Sequence, residues 1–220
     1  MRVLVIGGTG RTGKLVIDEL LRRGHGVTTL ARSPSAFGVP RPGLTIVQGT
    51  PADPEDVRAA FKPNTPDVVI VTLNAPRASD SPFAAPIAPP RLMADCNANI
   101  VTAMKEFGVR KIVILQAFGV GESWKNMNCV LQLLMKKSNM RFQYDDHNAT
   151  EKIVMDSGVV YVFVRPSRLV ETGETVVKQW PDHGERVPLM ASASRRSVAL
   201  FLVDAAESEQ WDSSAPVITN

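Results

Sequence analysis

Short apolar, β-branched runs alternate with amphipathic stretches along most of the chain, and this alternation predicts βαβ units around a parallel sheet. The clearest strands are expected at 2–6, 27–31, 44–48, 67–73, 111–116 and 159–164, with a short last one at 216–218. Their nearly continuous apolar character suits strands covered by helices on both faces. Helices are expected at 12–23, 54–61, 91–107, 124–138, 145–157 and 195–207. The pattern predicts a doubly wound α/β fold of the Rossmann kind, one compact domain spanning residues 1–220.

Several boundaries carry a physical signal. Asp53-Pro54-Glu55-Asp56 places a capping carboxylate before a proline at the first helical position, with acids facing the positive helix end. Gly24, Gly108 and Gly158 fall where three of the helices should stop. The longest irregular stretches, 74–90 and 168–194, leave the C-terminal side of the sheet, where such folds bind ligands. Both are read as small substrate-binding loops.

Composition narrows the classes. The chain is 44% hydrophobic and 21% charged, with a formal net charge of +3. Its basic residues are scattered, the densest pairs being Lys136-Lys137 and Arg195-Arg196, which does not suggest nucleic-acid binding. No apolar run approaches the roughly 20 residues of a membrane span, and Arg2 runs straight into a strand without a signal-peptide pattern. Cys96 and Cys129 have no metal-ligand spacing and read as reduced, partly buried thiols. A cytoplasmic monomer or homodimer acting on a small molecule, with no metal, is the expectation.

The first βα turn carries the chemistry. Gly7, Gly10 and Gly13 give G-x-x-G-x-x-G between a strand and a helix, so Gly7, Thr9, Gly10, Arg11, Thr12 and Gly13 are candidate cofactor contacts. The three glycines provide a tight turn, a close backbone approach to a pyrophosphate, and close helix–strand packing. At the end of the second strand, where NAD-binding proteins carry an acid for the ribose, stand Ala31-Arg32-Ser33. A guanidinium at Arg32, with Ser33 beside it, suits the 2′-phosphate of NADP(H), whereas a carboxylate would repel it.

Together with Leu30-Ala31-Arg32, Asn99-Ile100-Val101-Thr102-Ala103-Met104, Gly108-Val109-Arg110-Lys111, Gly119-Val120-Gly121-Glu122-Ser123, Asp146-His147, Arg165-Pro166-Ser167 and Arg195-Arg196-Ser197-Val198-Ala199, the glycine loop gives a pattern that resembles a known family. The chain is similar over nearly its whole length to the atypical short-chain dehydrogenase/reductases, particularly the NmrA-like and biliverdin reductase B (flavin reductase) group. The resemblance implies that Leu73, Asn74 and Ala75 flank the ribose and nicotinamide, and that Gln116 and Pro166 approach the nicotinamide end. It also implies a pocket role for His147, as donor of a proton or hydrogen bond at the start of a helix, and for Arg168, as a contact to an anionic or phenolic substrate. Thr50 departs from the many relatives that carry an acid just after the third strand, near the adenine.

The Tyr-x-x-x-Lys pair of ordinary short-chain dehydrogenases is not found. Of the two tyrosines, Tyr144 is followed four residues later by Asn148, and Tyr161 by Arg165. Hydride transfer to a conjugated acceptor needs less of the protein than alcohol oxidation does. The leading expectation is an NADPH-dependent reductase of a flavin, quinone, tetrapyrrole or polyketide-like molecule. An NmrA-like sensor that binds NADP without turnover, and a non-redox isomerase or cyclase, are the alternatives. His25 is expected to be structural and His183 to face water, while Phe83, Ile87, Phe118, Trp124 and Met127 serve equally as core or as a platform for a planar substrate.

Overall fold

The computed structural model describes residues 1–79 and 81–220. Eight strands form the main sheet: β1 (Arg2–Ile6), β2 (Gly26–Ala31), β3 (Leu44–Gln48), β4 (Val68–Val71), β5 (Lys111–Leu115), β6 (Val160–Pro166), β8 (Lys178–Trp180) and β10 (Val217–Thr219). Their order is β3-β2-β1-β4-β5-β6-β10-β8, every neighbouring pair parallel except β10 with β8. A separate parallel pair joins β7 (Arg168–Val170) to β9 (Ser192–Ser194). The strand order reverses beside β1, which places a crevice between β1 and β4, at the end where the glycine loop leaves.

The alternation in β1 shows how the layers assemble. Val3 and Val5 point to one face and pack with Val16, Ile17 and Leu20 of α1 (Arg11–Arg22) and Val198 and Leu202 of α6 (Arg195–Glu207). Leu4 and Ile6 point to the other, against Val57 and Phe61 of α2 (Pro54–Phe61) and Ile100 and Met104 of α3 (Leu92–Phe107). Residues of period two on a strand thus feed two helical layers, which is why the strands read as unbroken apolar runs. Asp53 caps α2 as expected, its side chain accepting from the Glu55 N–H at 2.8 Å.

Four expectations are corrected. The strand expected at 67–73 stops at Val71, where its partner β1 ends at Ile6, and the Thr72 hydroxyl donates toward the carbonyls of Ile6 and Gly7. The helix expected at 124–138 is two pieces, a 3₁₀ segment at Gly121–Asn126 and α4 at Cys129–Lys137. Met127 is extended between them, and the Asn128 side chain starts α4 by accepting from the Val130 N–H. The helix expected at 145–157 begins five residues earlier, as α5 (Met140–Ser157). The stretch 168–194 holds three short strands, of which β8 is fixed by a Trp180 Nε1 bond to the Thr219 hydroxyl at 2.9 Å. Among the described residues no helix is long and apolar enough to cross a membrane.

Candidate nucleotide-binding site

The glycine loop is shaped by two close approaches. Gly7 has φ of +87°, and a Cβ there would come within 2.9 Å of the Thr72 carbonyl carbon. At Gly13 a Cβ would stand 2.2 Å from the Gly7 carbonyl oxygen, so only glycine lets α1 lie this close to the end of β1. The helix starts at Gly10 with no side-chain cap and no acid in its first turn. Its first N–H groups therefore face the loop without intrahelical acceptors, at the positive end of the helix dipole. That is the cradle a pyrophosphate fits.

A cleft opens beside this loop. Gly7 and Thr9 line it with Ala31 and Arg32 after β2, Thr50 after β3, Leu73 and Asn74 after β4, and Met93 and Cys96 of α3. Five of the residues expected from the sequence to be cofactor contacts, Gly7, Thr9, Arg32, Leu73 and Asn74, are thereby brought to one surface. Arg32 also borders an open groove with Gln48, Gly49, Thr50 and Asp56. The Asp56 carboxylate accepts from the Thr50 N–H at 2.9 Å, so an acid does stand near the end of β3, supplied by α2. Sequence reasoning misses it because the acid lies six residues beyond Thr50, on the next element.

The remaining candidates lie outside the lining of the cleft. Arg11 opens α1, and Thr12 is buried, its hydroxyl accepting from Arg195 at 3.2 Å. Gly10 closes the turn, its N–H donating to the Gly7 carbonyl. Ser33 precedes a 3₁₀ turn and makes no cap bond. Ala75 is held through its carbonyl by the Gln143 side chain at 2.8 Å, and the same amide donates to Asn74 Oδ1 at 2.9 Å. Gln143 escapes sequence reasoning because the pattern starts its helix two residues later. Gln116 is buried at the end of β5, where its amide reaches the His147 carbonyl at 3.4 Å and its Oε1 has no partner among the described residues. Pro166 ends β6, and its carbonyl accepts from the Phe118 N–H. Arg168 is exposed on β7.

His147 differs most from its expected setting. It lies inside α5, two turns beyond the start, and is only 8% exposed. Burial disfavours the charged imidazolium and pushes its pKa down to about 4. A ring with that pKa is neutral at pH 7, a form that donates a hydrogen bond through its N–H rather than a proton from an imidazolium. The preceding Asp146 is structural. Its carboxylate accepts from the Met93 and Ala94 N–H groups at 2.9 and 2.8 Å and caps α3 across the layer.

Tyr144 donates its hydroxyl to the Phe118 carbonyl at 2.9 Å, and burial pushes the phenol up to about 12. Phe118, Trp124 and Met127 pack around it with Val217 as a small core, while Phe83 and Ile87 are 64% and 65% exposed. His25 bridges to Glu207 at 2.6 Å, as a structural residue does. His183 is half exposed and paired with Glu122 at 2.8 Å.

Comparison with known proteins adds identity to this geometry. The model of the NAD(P)H-binding family matches residues 7–209. The chain is 28% identical over 217 residues to the photosystem II assembly factor Ycf39 of Synechocystis sp., covering 94% of this chain and 59% of that protein. It is 35% identical over 114 residues to a 3-diazoavenalumate denitrifying reductase of Streptomyces sp., covering 51% of this chain and 36% of that protein. The chain thus spans less than two thirds of the length of these curated relatives. Among solved structures it is similar to ChuY, an anaerobillin reductase of Escherichia coli, with a TM-score of 0.79 at 14% identity, covering 99% of this chain and 96% of that one. This likeness shows the shared Rossmann fold. With the family model spanning the glycine loop, the cleft and both helical layers, the chain belongs to the NAD(P)H-binding family.

Proposed function

We propose that the protein is an NADPH-dependent oxidoreductase that transfers hydride to a small conjugated or aromatic molecule. The observation that carries the cofactor choice is Arg32. It follows β2 where no acid stands, lines the cleft with Thr9, and has no ion-pair partner among the described residues. A guanidinium so placed is available for a 2′-phosphate, with Ser33 beside it. Asp56, across the groove, suits the amino edge of the adenine.

When bound, NADPH would supply the hydride; the residues of the chain bind, orient and exclude water. Gly7, Gly10 and the first turn of α1 hold the pyrophosphate. Gln143 fixes Asn74 and Ala75, and so sets the wall between ribose and nicotinamide. Gln116 presents its unpartnered Oε1 at the end of β5, an acceptor suited to a carboxamide. Segments 74–90 and 168–194 border the substrate, and Arg168 offers an exposed charge to an anionic or phenolic group. With Tyr144 bonded to backbone and His147 neutral, an acceptor that needs no strong protein acid fits best. The reductase among the relatives supports this reading.

Arg32→Ala tests the cofactor assignment. Its loss should weaken NADPH by about 1.5–3 kcal/mol, the scale of a hydrogen bond to a charged group, and leave NADH nearly unchanged. Fluorescence titration of both nucleotides against both proteins reads the difference. Equal weakening of NADH would remove Arg32 from 2′-phosphate recognition.

A further inference from the structure

One ion-pair group meets the glycine loop from beyond the cleft. Arg195, the first residue of α6, donates from Nε to Glu171 at 2.6 Å and from Nη1 to the Thr12 hydroxyl at 3.2 Å. Glu171, just past β7, also lies 3.8 Å from the Arg11 guanidinium. The Arg195 side chain is 14% exposed and thus held in place, whereas those of Arg11 and Glu171 are 58% and 61% exposed. Arg11 and Thr12 are the first two residues of α1, whose first turn carries no acid. Two guanidiniums and the positive helix end therefore converge on one edge of the loop, and Glu171 is the carboxylate that reaches them from the 168–194 segment.

We propose that Glu171 holds, in the free protein, the electrostatic place of the nucleotide's pyrophosphate, and that bound phosphates take over Arg195 and Arg11 and displace it. Arg195 is then a phosphate-side binding residue, and Glu171 is a competitor built into the chain. The proposal rests on nucleotide binding, which family membership gives, and not on the reductase chemistry.

The chain around Glu171 is exposed and lies between two anchors. β7 ends at Val170, the Ser194 hydroxyl anchors the Glu174 carbonyl at 2.5 Å, and the Asn220 amide anchors the Val176 carbonyl. Residues 171–173 form the span between these anchors, and nothing lies within 4 Å of a Cβ built on Gly173. A pyrophosphate brings more negative charge than one carboxylate and offers oxygens for paired bonds to a guanidinium. A carboxylate left 61% exposed, and so screened by salt, is the weaker competitor.

Equilibrium titration with NADP⁺ and with NAD⁺, read by tryptophan fluorescence, tests the exchange, because both nucleotides share the pyrophosphate. Glu171→Gln keeps the shape and removes the charge. It should bind both nucleotides about three- to fivefold more tightly, the scale of one exposed ion pair, while its melting temperature without nucleotide does not rise. Arg195→Gln should weaken both nucleotides by similar factors, and Arg195→Lys should restore part of the loss. Arg32→Ala, by contrast, should weaken NADP⁺ alone. Unchanged or weaker binding by Glu171→Gln overturns the competitor role, and so does a fall of melting temperature and both affinities together. A wild-type protein that binds neither nucleotide overturns nucleotide binding itself, an outcome distinct from binding that ignores Glu171.

Discussion

Gly13→Ala is expected to lower nucleotide affinity on the order of a hundredfold, or about 2.7 kcal/mol. The added methyl would meet the Gly7 carbonyl oxygen at 2.2 Å and the Thr72 hydroxyl at 2.8 Å. Neither can give way cheaply: Gly7 is backbone at the end of β1, and the Thr72 hydroxyl already donates back to the Ile6 and Gly7 carbonyls. The start of α1 must therefore move off the sheet, carrying with it the N–H groups that would face the pyrophosphate. Overpacking of this kind also costs about 1–3 kcal/mol of stability. Gly26→Ala is the control, since nothing lies within 4 Å of a Cβ there. Titration with NADPH beside a urea melt checks the result, and near-native affinity in Gly13→Ala would show that the loop is not the phosphate cradle.

Breaking the buried ion pair between β6 and α5 should produce the largest loss of stability. Arg165, on β6, is 1% exposed, and its Nη2 donates to both carboxylate oxygens of Glu151 on α5 at 2.7 Å. Nε and Nη1 of the same guanidinium find no acceptor, so Glu151 is its one charged partner among the described residues. Glu151→Leu leaves a buried cation unpaired and is expected to cost about 3–5 kcal/mol. That is a large share of the roughly 5–15 kcal/mol typical of a domain. The double variant Glu151→Leu with Arg165→Met removes the stranded charge and should recover most of that loss. Urea unfolding of wild type, Glu151→Leu, Arg165→Met and the double variant gives the coupling. A Glu151→Leu variant within about 1 kcal/mol of wild type would mean that water or relaxation already satisfies Arg165.

Most of the strand and helix order is legible in the sequence because buried parallel strands read as short unbroken apolar runs and amphipathic helices as a 3.6-residue period. The β1 pattern and the Asp53-Pro54 helix start are cases in point. The glycine loop is legible because its spacing is local, although Gly8 escapes the motif: a Cβ there would meet the Thr29 hydroxyl at 2.4 Å, a contact from β2. What stays hidden depends on residues distant in sequence. The break at Met127 and Asn128 carries neither glycine nor proline, and β8 holds only three residues, too few to show a period. α5 begins at Met140 in Met-Arg-Phe-Gln-Tyr, where apolar and polar residues alternate with a period of two, so the helical pattern leaves Gln143 outside it and puts His147 near its start. Asp56, Gln143 and Arg195 each reach Thr50, Asn74 or Thr12 from another element, and no linear spacing announces such contacts.

Single-turnover oxidation of NADPH, followed by stopped flow against flavins, quinones and enones, tests the central claim most directly. Hydride transfer to at least one of these acceptors is expected, with NADH oxidised more slowly at matched subsaturating concentration because Arg32 gains nothing from it. The rate should be flat in pH between about 6 and 8 as far as His147 is concerned, since a group whose pKa lies near 4 does not titrate there. Tight NADPH binding with no oxidation of any acceptor would contradict the account and leave a nucleotide sensor or a non-redox enzyme in its place.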